Sequence, residues 1–177
     1  IAVTVDGTAV STVTKTAIDG GYKCTCTSPT LKDGSHTISV KASDNDGNAA
    51  AAKTATFTVD TVPPTLQITA PSNDLITNKK TVTVSGKTDD VSSKPVTVTV
   101  NGATVTVGTD GTFTKDVTLA EGANTITIVA KDKAGKTTTV TRKVTVDTSA
   151  PVIKSVTLTP NPVDCGKTFI IAVEITD

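Results

Sequence analysis

Gly122-Ala123-Asn124-Thr125-Ile126-Thr127-Ile128-Val129-Ala130-Lys131-Asp132 repeats, with small changes, Gly34-Ser35-His36-Thr37-Ile38-Ser39-Val40-Lys41-Ala42-Ser43-Asp44. Working outward, Val59-Asp60-Thr61-Val62-Pro63-Pro64 returns as Val146-Asp147-Thr148-Ser149-Ala150-Pro151. Both spacings are 87 to 88 residues. Upstream, Val5-Asp6-Gly7-Thr8-Ala9-Val10 matches Val100-Asn101-Gly102-Ala103-Thr104-Val105, and Asp19-Gly20-Gly21-Tyr22 matches Asp110-Gly111-Thr112-Phe113. These pairs lie a few residues farther apart, as loop insertions would make them. Self-similarity at one period marks an array of modules, and it is read before any motif.

Within a copy the pattern is that of strands. Thr81-Val82-Thr83-Val84, Val96-Thr97-Val98-Thr99-Val100 and Val105-Thr106-Val107 alternate with a period of two, which puts one residue type on each face of a strand. Valine is expected to face a core and threonine water, and both are β-branched and suit a pleated surface. Asn48 to Ala55 is alanine-rich but has no apolar stripe, so no helix competes. Asn101-Gly102 and Asp6-Gly7 suit the positive φ values of two-residue hairpin turns. About seven short strands in under a hundred residues is the rhythm of an immunoglobulin-like sandwich. The expected fold class is therefore all-β, as tandem immunoglobulin-like antiparallel β-sandwiches.

One complete module is expected at 62–149, between a partial module at 1–61 (its later strands) and the first strands of a third at 150–177. Pro63, Pro64 and Pro151 mark the junctions, and their fixed φ makes short connections semi-rigid. The chain starts at Ile1 and ends on the strand-like Phe169 to Ile175, which reads as a segment of a longer array. A two-stranded ribbon is marginal alone. Residues 150–177 are thus expected to continue into further chain, to be poorly ordered, or to complete the open sheet of 1–61 in another copy by strand addition.

Composition excludes more than it names. Lys+Arg and Asp+Glu number 17 each, so charge gives no lean toward nucleic acid or anionic membrane. Aromatic residues are 2% of the chain and Trp is absent. That removes the stacking platform of a single-strand nucleic-acid or sugar-binding surface. Tyr22 and Phe113 align and are both expected in cores. No run of about 18 apolar residues is present to insert into a membrane, and no signal peptide is visible.

Chemistry-bearing residues are sparse. The single histidine, His36, aligns with Asn124 at a strand entry, so it is read as a polar strand-end residue and not as the base of a nucleophilic site. Asp89-Asp90 is placed in a loop, since neighbouring strand residues face opposite ways. No catalytic residue, cofactor or metal is assigned. Calcium is a secondary expectation at Asp44, Asp46 and Asn48, rich in hard oxygen donors, or at the Asp60 and Asp147 junctions. Against it stand the spacing, unlike an EF-hand loop, and the aligned Asp132-Lys133-Ala134-Gly135-Lys136, whose lysines oppose a cation. Both stretches are read as hairpin turns. Cys24 and Cys26 sit two apart on one strand, poor geometry for a mutual disulfide. Free thiols are expected, with an intermolecular bridge from Cys165 to Cys24 or Cys26 as the alternative, and three cysteines are too few for structural zinc.

Asp110-Gly111-Thr112-Phe113, Gly122 to Asp132 with Ala134-Gly135, and Val146-Asp147-Thr148 leading to Pro151 resemble bacterial immunoglobulin-like repeats. Such repeats occur in surface adhesins, surface-layer proteins, accessory regions of polysaccharide-degrading enzymes and phage virion proteins. The likeness covers most of the chain and departs at Thr159-Pro160-Asn161-Pro162-Val163, which suggests a different subfamily for the third module. It implies a non-catalytic, extracellular spacer or adhesive stalk on a bacterial or virion surface. Its partners would be neighbouring modules of the same or another copy, and surface glycan or a host receptor. A carbohydrate-binding accessory module of a secreted glycosidase and a phage decoration or tail protein are the alternatives, because fold does not fix function.

Overall fold

A computed structural model describes residues 1–159, 161 and 165–177, all without helix. Segment 1–61 carries β1 (Ala2–Val5), β2 (Thr8–Ala9), β3 (Val13–Ile18), β4 (Gly21–Cys26), β5 (Gly34–Lys41) and β6 (Lys53–Val59). They form a sheet in the order β2-β1-β5-β6 and a separate β3-β4 ribbon. Asp6 and Gly7 take φ of 50° and 79°, as do Asn101 and Gly102 at 48° and 80°. Both hairpin turns thus have the two positive φ values their sequences suggest.

Segment 62–149 carries β7 (Thr65–Ala70), β8 (Leu75–Thr77), β9 (Thr81–Asp89), β10 (Thr97–Val100), β11 (Ala103–Val105), β12 (Thr112–Thr118), β13 (Gly122–Lys131) and β14 (Thr137–Val146). One sheet runs β11-β10-β13-β14-β8 and the other β12-β9-β7. Val82, Val84 and Phe113 of the second sheet meet Val98, Val100, Ile126, Ile128 and Val144 of the first in one buried core. Threonines 81, 83 and 97 face water, so the valine-in, threonine-out reading holds on these strands. One pairing departs from the antiparallel expectation: β8 joins β14 in parallel. The opening strand is split, β7 pairing with β9 in one sheet and β8 crossing to the other.

Beyond the core module, among the described residues, β15 (Val152–Thr159) and β16 (Ile170–Thr176) pair only with each other. The Thr159–Val163 departure falls partly outside the described residues. Tyr22 corrects one expectation. Phe113 is 3% exposed but Tyr22 is 70% exposed. The physical reason is topological: β9 packs across Phe113, pairing it with Gly86, whereas β4 pairs on one edge with β3 and has no strand on the other among the described residues.

Candidate metal centre at the module junction

Asp60 follows β6, Asp90 follows β9 and Asp132 follows β13. β9 and β13 belong to opposite sheets but end at the same tip of the sandwich, where the chain from β6 arrives. One carboxylate oxygen from each of the three residues lies within 4.8 Å of the others. The residues are 8%, 5% and 5% exposed.

Each carboxylate is aimed by the backbone of its own loop. Val62 N–H donates to Asp60 Oδ1 at 3.1 Å, Ser92 and Ser93 N–H to Asp90 Oδ1 at 2.9 and 2.6 Å, and Lys136 N–H to Asp132 Oδ1 at 2.8 Å. The two loops of 62–149 are also tied together. Lys133 N–H donates to the Ser93 carbonyl at 3.1 Å and Ala134 N–H to Ser93 Oγ at 2.8 Å. Such side-chain to backbone bonds fix short loops without longer-range structure.

The second oxygens are left over. Asp60 Oδ2 and Asp132 Oδ2 are buried and accept no hydrogen bond. An unsatisfied buried polar atom costs about 1–3 kcal/mol, more when charged. Among the described residues the ion pairs are His36–Asp6 and Lys94–Asp89, so no basic side chain neutralises the triad. A hard divalent cation answers both deficits, because it supplies charge and takes oxygen ligands. The donor set holds no nitrogen or sulfur, which turns it from zinc toward calcium or magnesium. Calcium's tolerance of irregular coordination suits loops from different elements.

The sequence brought only Asp60 of these three to attention as a metal ligand. Asp90 lies in a loop, as expected, but Asp89 is the last residue of β9, exposed and turned outward to Lys94 Nζ at 2.8 Å. The lysines of the 132–136 turn do not oppose a cation, since Lys133 and Lys136 are exposed and approach through backbone N–H groups. One feature of the sequence bears on the site: Asp132 stands after β13 at the repeat position that Asp44 holds after β5. By contrast, the Asp44–Asn48 turn is satisfied internally. Asp44 Oδ1 accepts from Asp46 and Asn48 N–H, and Asp44 Oδ2 from Asn48 Nδ2 at 2.7 Å. The Asn48 side-chain bond is the main reason the Asp44 carboxyl sits below its ordinary value of 3.8. Asp147 accepts from Ser149 N–H at 3.0 Å.

The other candidates are dispersed. His36 lies within β5, with Nδ1 2.6 Å from Asp6 Oδ2 and Nε2 2.7 Å from the Lys32 carbonyl. Cys24, Cys26 and Cys165 are all free thiols, Cys24 half-buried and the other two exposed. A cavity of about 390 Å³ beside the junction is lined by Lys87, Asp89, Lys94 and Asp110, with no aromatic ring for a sugar to stack upon.

Residues 1–61 match the family model described as bacterial Ig-like domain, and residues 64–148 that of glucodextranase, domain B. Bacillopeptidase F of Bacillus subtilis (strain 168) is 34% identical over 140 residues, 79% of this chain. The chain spans 9% of that relative's length. Among solved structures, the fibronectin(III)-like modules of Clostridium thermocellum CbhA share 19% identity over 82% of this chain and 76% of that one, with a TM-score of 0.46. A tetra-tandem repeat from the extending region of a large adhesion protein shares 24% identity over 98% of this chain and 54% of that one, with a TM-score of 0.42. The fold is an all-β, immunoglobulin-like sandwich, and no helix among the described residues is long and apolar enough to cross a membrane.

Proposed function

We propose that this chain is a non-catalytic spacer of tandem immunoglobulin-like modules in an extracellular bacterial surface or secreted protein, and that calcium at Asp60, Asp90 and Asp132 stiffens its junction. Similarity to the bacterial Ig-like domain model and to an adhesion-protein repeat supports the spacer reading. The observation that carries the calcium reading is the pair of buried, unpartnered oxygens on Asp60 and Asp132. A cation there ties the segment leaving β6 to two loops of 62–149, so binding energy is converted into a fixed angle between modules.

Titration with calcium by calorimetry, with and without prior chelation, tests this directly. One equivalent per chain is expected, with a rise in melting temperature that Asp132→Asn removes. Absence of heat, together with a melting temperature indifferent to chelator, would reject the metal and leave the spacer unsupported at its junction. The accessory-module alternative has the glucodextranase domain B match in its favour. Retardation in gels containing soluble glucans would support it over the spacer.

A further inference from the structure

The parallel pairing of β8 with β14 joins the strand that opens the 62–149 module to the strand that closes it. β14 runs from Thr137, opposite Lys131, to Val146, opposite Gly122. Thr65 of β7 stands opposite Asp89, at the tip where Asp60, Asp90 and Asp132 meet. The chain therefore enters the module at one tip and leaves it at the other, and its first and last strands run the same way.

The tie extends well beyond β8. Leu75, Ile76 and Thr77 stand beside Val144, Thr145 and Val146 in backbone register. Asp147 N–H donates to the Thr77 carbonyl at 2.9 Å, and Lys143 N–H to Asn73 Oδ1 at 3.0 Å. Nearer the entry tip, where β7 has turned to pair with β9, side chains of β14 take over. Arg142 donates from Nε to the Pro71 carbonyl at 3.1 Å and from Nη2 to the Ile68 carbonyl at 3.3 Å, and Thr138 Oγ1 donates to the Pro64 carbonyl at 2.5 Å. From Pro64 to Thr77 the entering chain is thus bonded to β14 along its length.

Arg142 is the part of this ladder that alternation does not explain. It is the one arginine of the chain, and by the period of two it shares a strand face with Val144 and Val146, each 1% exposed. A charged residue stands there because the opening strand is split beside it. The register of β7 shifts between Ile68 and Ala70, and backbone carbonyls turned inward at such a break need donors. A guanidinium supplies a rigid fork of donors and keeps its charge at every working pH.

We propose that 62–149 is built to bear tension, with 64–77 and β14 as a clamp that a pull along the chain loads in shear. Two parallel strands pulled from the start of one and the end of the other slide along each other, so their bonds share the load and fail together. Pulled from their two starts, the same strands peel, and the bonds fail one at a time. Forced unfolding follows the unfolding rate, and simultaneous failure raises the barrier that sets this rate. Arg142 carries load across the split, where β7 has left β14 for β9. The source of the pull rests on the spacer reading, whereas the clamp rests on strand order and bonding alone.

Pulling the 177-residue chain in optical tweezers tests the clamp. Handles are attached through two new cysteines in a Cys24→Ser, Cys26→Ser, Cys165→Ser background, with chelator present throughout so that the cation reading does not enter. Val62→Cys with Ser149→Cys loads the clamp in shear, and Val62→Cys with Lys136→Cys, both at the entry tip, peels it. At one pulling rate the shear pair is expected to unfold at a severalfold higher force. Arg142→Met should lower the shear force and leave the peel force unchanged, whereas a general loss of stability lowers both. Equal forces in the two geometries, an Arg142→Met chain as strong as the parent in shear, or one weakened alike in both overturns the proposal. If Arg142→Met does not fold, Asn73→Ala, which removes the acceptor of Lys143 N–H, is read in the same way. Retardation by soluble glucans would count against the spacer reading while the force comparison still decides the clamp.

Discussion

His36 is held at both ring nitrogens by acceptors, the Asp6 carboxylate and the Lys32 carbonyl. An imidazole offers two N–H donors only when protonated. The bond to Asp6, and then that to Lys32, raise its pKa above the ordinary 6.5. A raised folded value means the stabilisation is complete below pH 6.5 and fades as pH rises through the folded value. Melting of segment 1–61 should therefore shift downward as pH rises above 6.5, through the raised folded value. His36→Asn should flatten that shift, because Asn124 bonds the Ala120 carbonyl at 2.8 Å from the same repeat position without titrating. A pH-independent melt in wild type would refute the pairing. The triad gives a second residue-scale test. With chelator, Asp132→Asn removes one of three crowded like charges and is expected to raise the melting temperature. In calcium at a hundred times Kd, wild type gains about 2.7 kcal/mol and the variant loses that gain. The sequence could not show this site as a triad, since Asp60, Asp90 and Asp132 are far apart in the chain and the lysines beside Asp132 suggest repulsion. Only the loop bonds reveal that those lysines enter by their backbone.

Among the elements, β9 is the best example of what alternation determines. Its valines, Val82 and Val84, were legible as core from the period of two. Gly86 on the same face was not, because its role depends on what crosses above it. A Cβ at Gly86 would stand 2.8 Å from Phe113 Cζ and 2.5 Å from the Gln67 carbonyl. Gly86→Ala is thus expected to cost roughly 1–3 kcal/mol by overpacking, read as a lower urea midpoint at unchanged slope. Ile126→Val, which removes a methyl from a fully buried residue of β13, should cost about 0.5–1.5 kcal/mol. If Gly86→Ala proved the milder of the two, the packing of β9 against β12 would be misdescribed. The split of the opening strand was also illegible, for period two says which residues share a face but not which sheet a strand joins. The exposed Tyr22 shows the same limit, since alignment with Phe113 fixed its face but not whether a strand lay over it.

At the scale of the whole molecule, a junction's stiffness depends on how many independent restraints cross it. Thr61 donates N–H and hydroxyl to Asp33 at 3.1 and 2.9 Å, and Thr148 does the same to Glu121 at 2.8 and 2.7 Å. Both clamps hold the departing chain to the module it leaves. They were recoverable from the repeat, which aligns Asp33 with Glu121 and Thr61 with Thr148. Neither clamp reaches the following module, however. In the calcium reading proposed above, that link is the cation held by Asp60, Asp90 and Asp132, whose mutual repulsion otherwise works against it. Removing calcium should therefore loosen the angle between 1–61 and 62–149 while leaving the core of 62–149 intact. Distances between single fluorophores on β1 and β14 are expected to broaden in chelator and sharpen in calcium, and Asp90→Asn should stay broad in both. A distribution equally narrow in chelator would mean that Pro63, Pro64 and the Thr61 clamp suffice, and that the buried acids serve some purpose other than alignment.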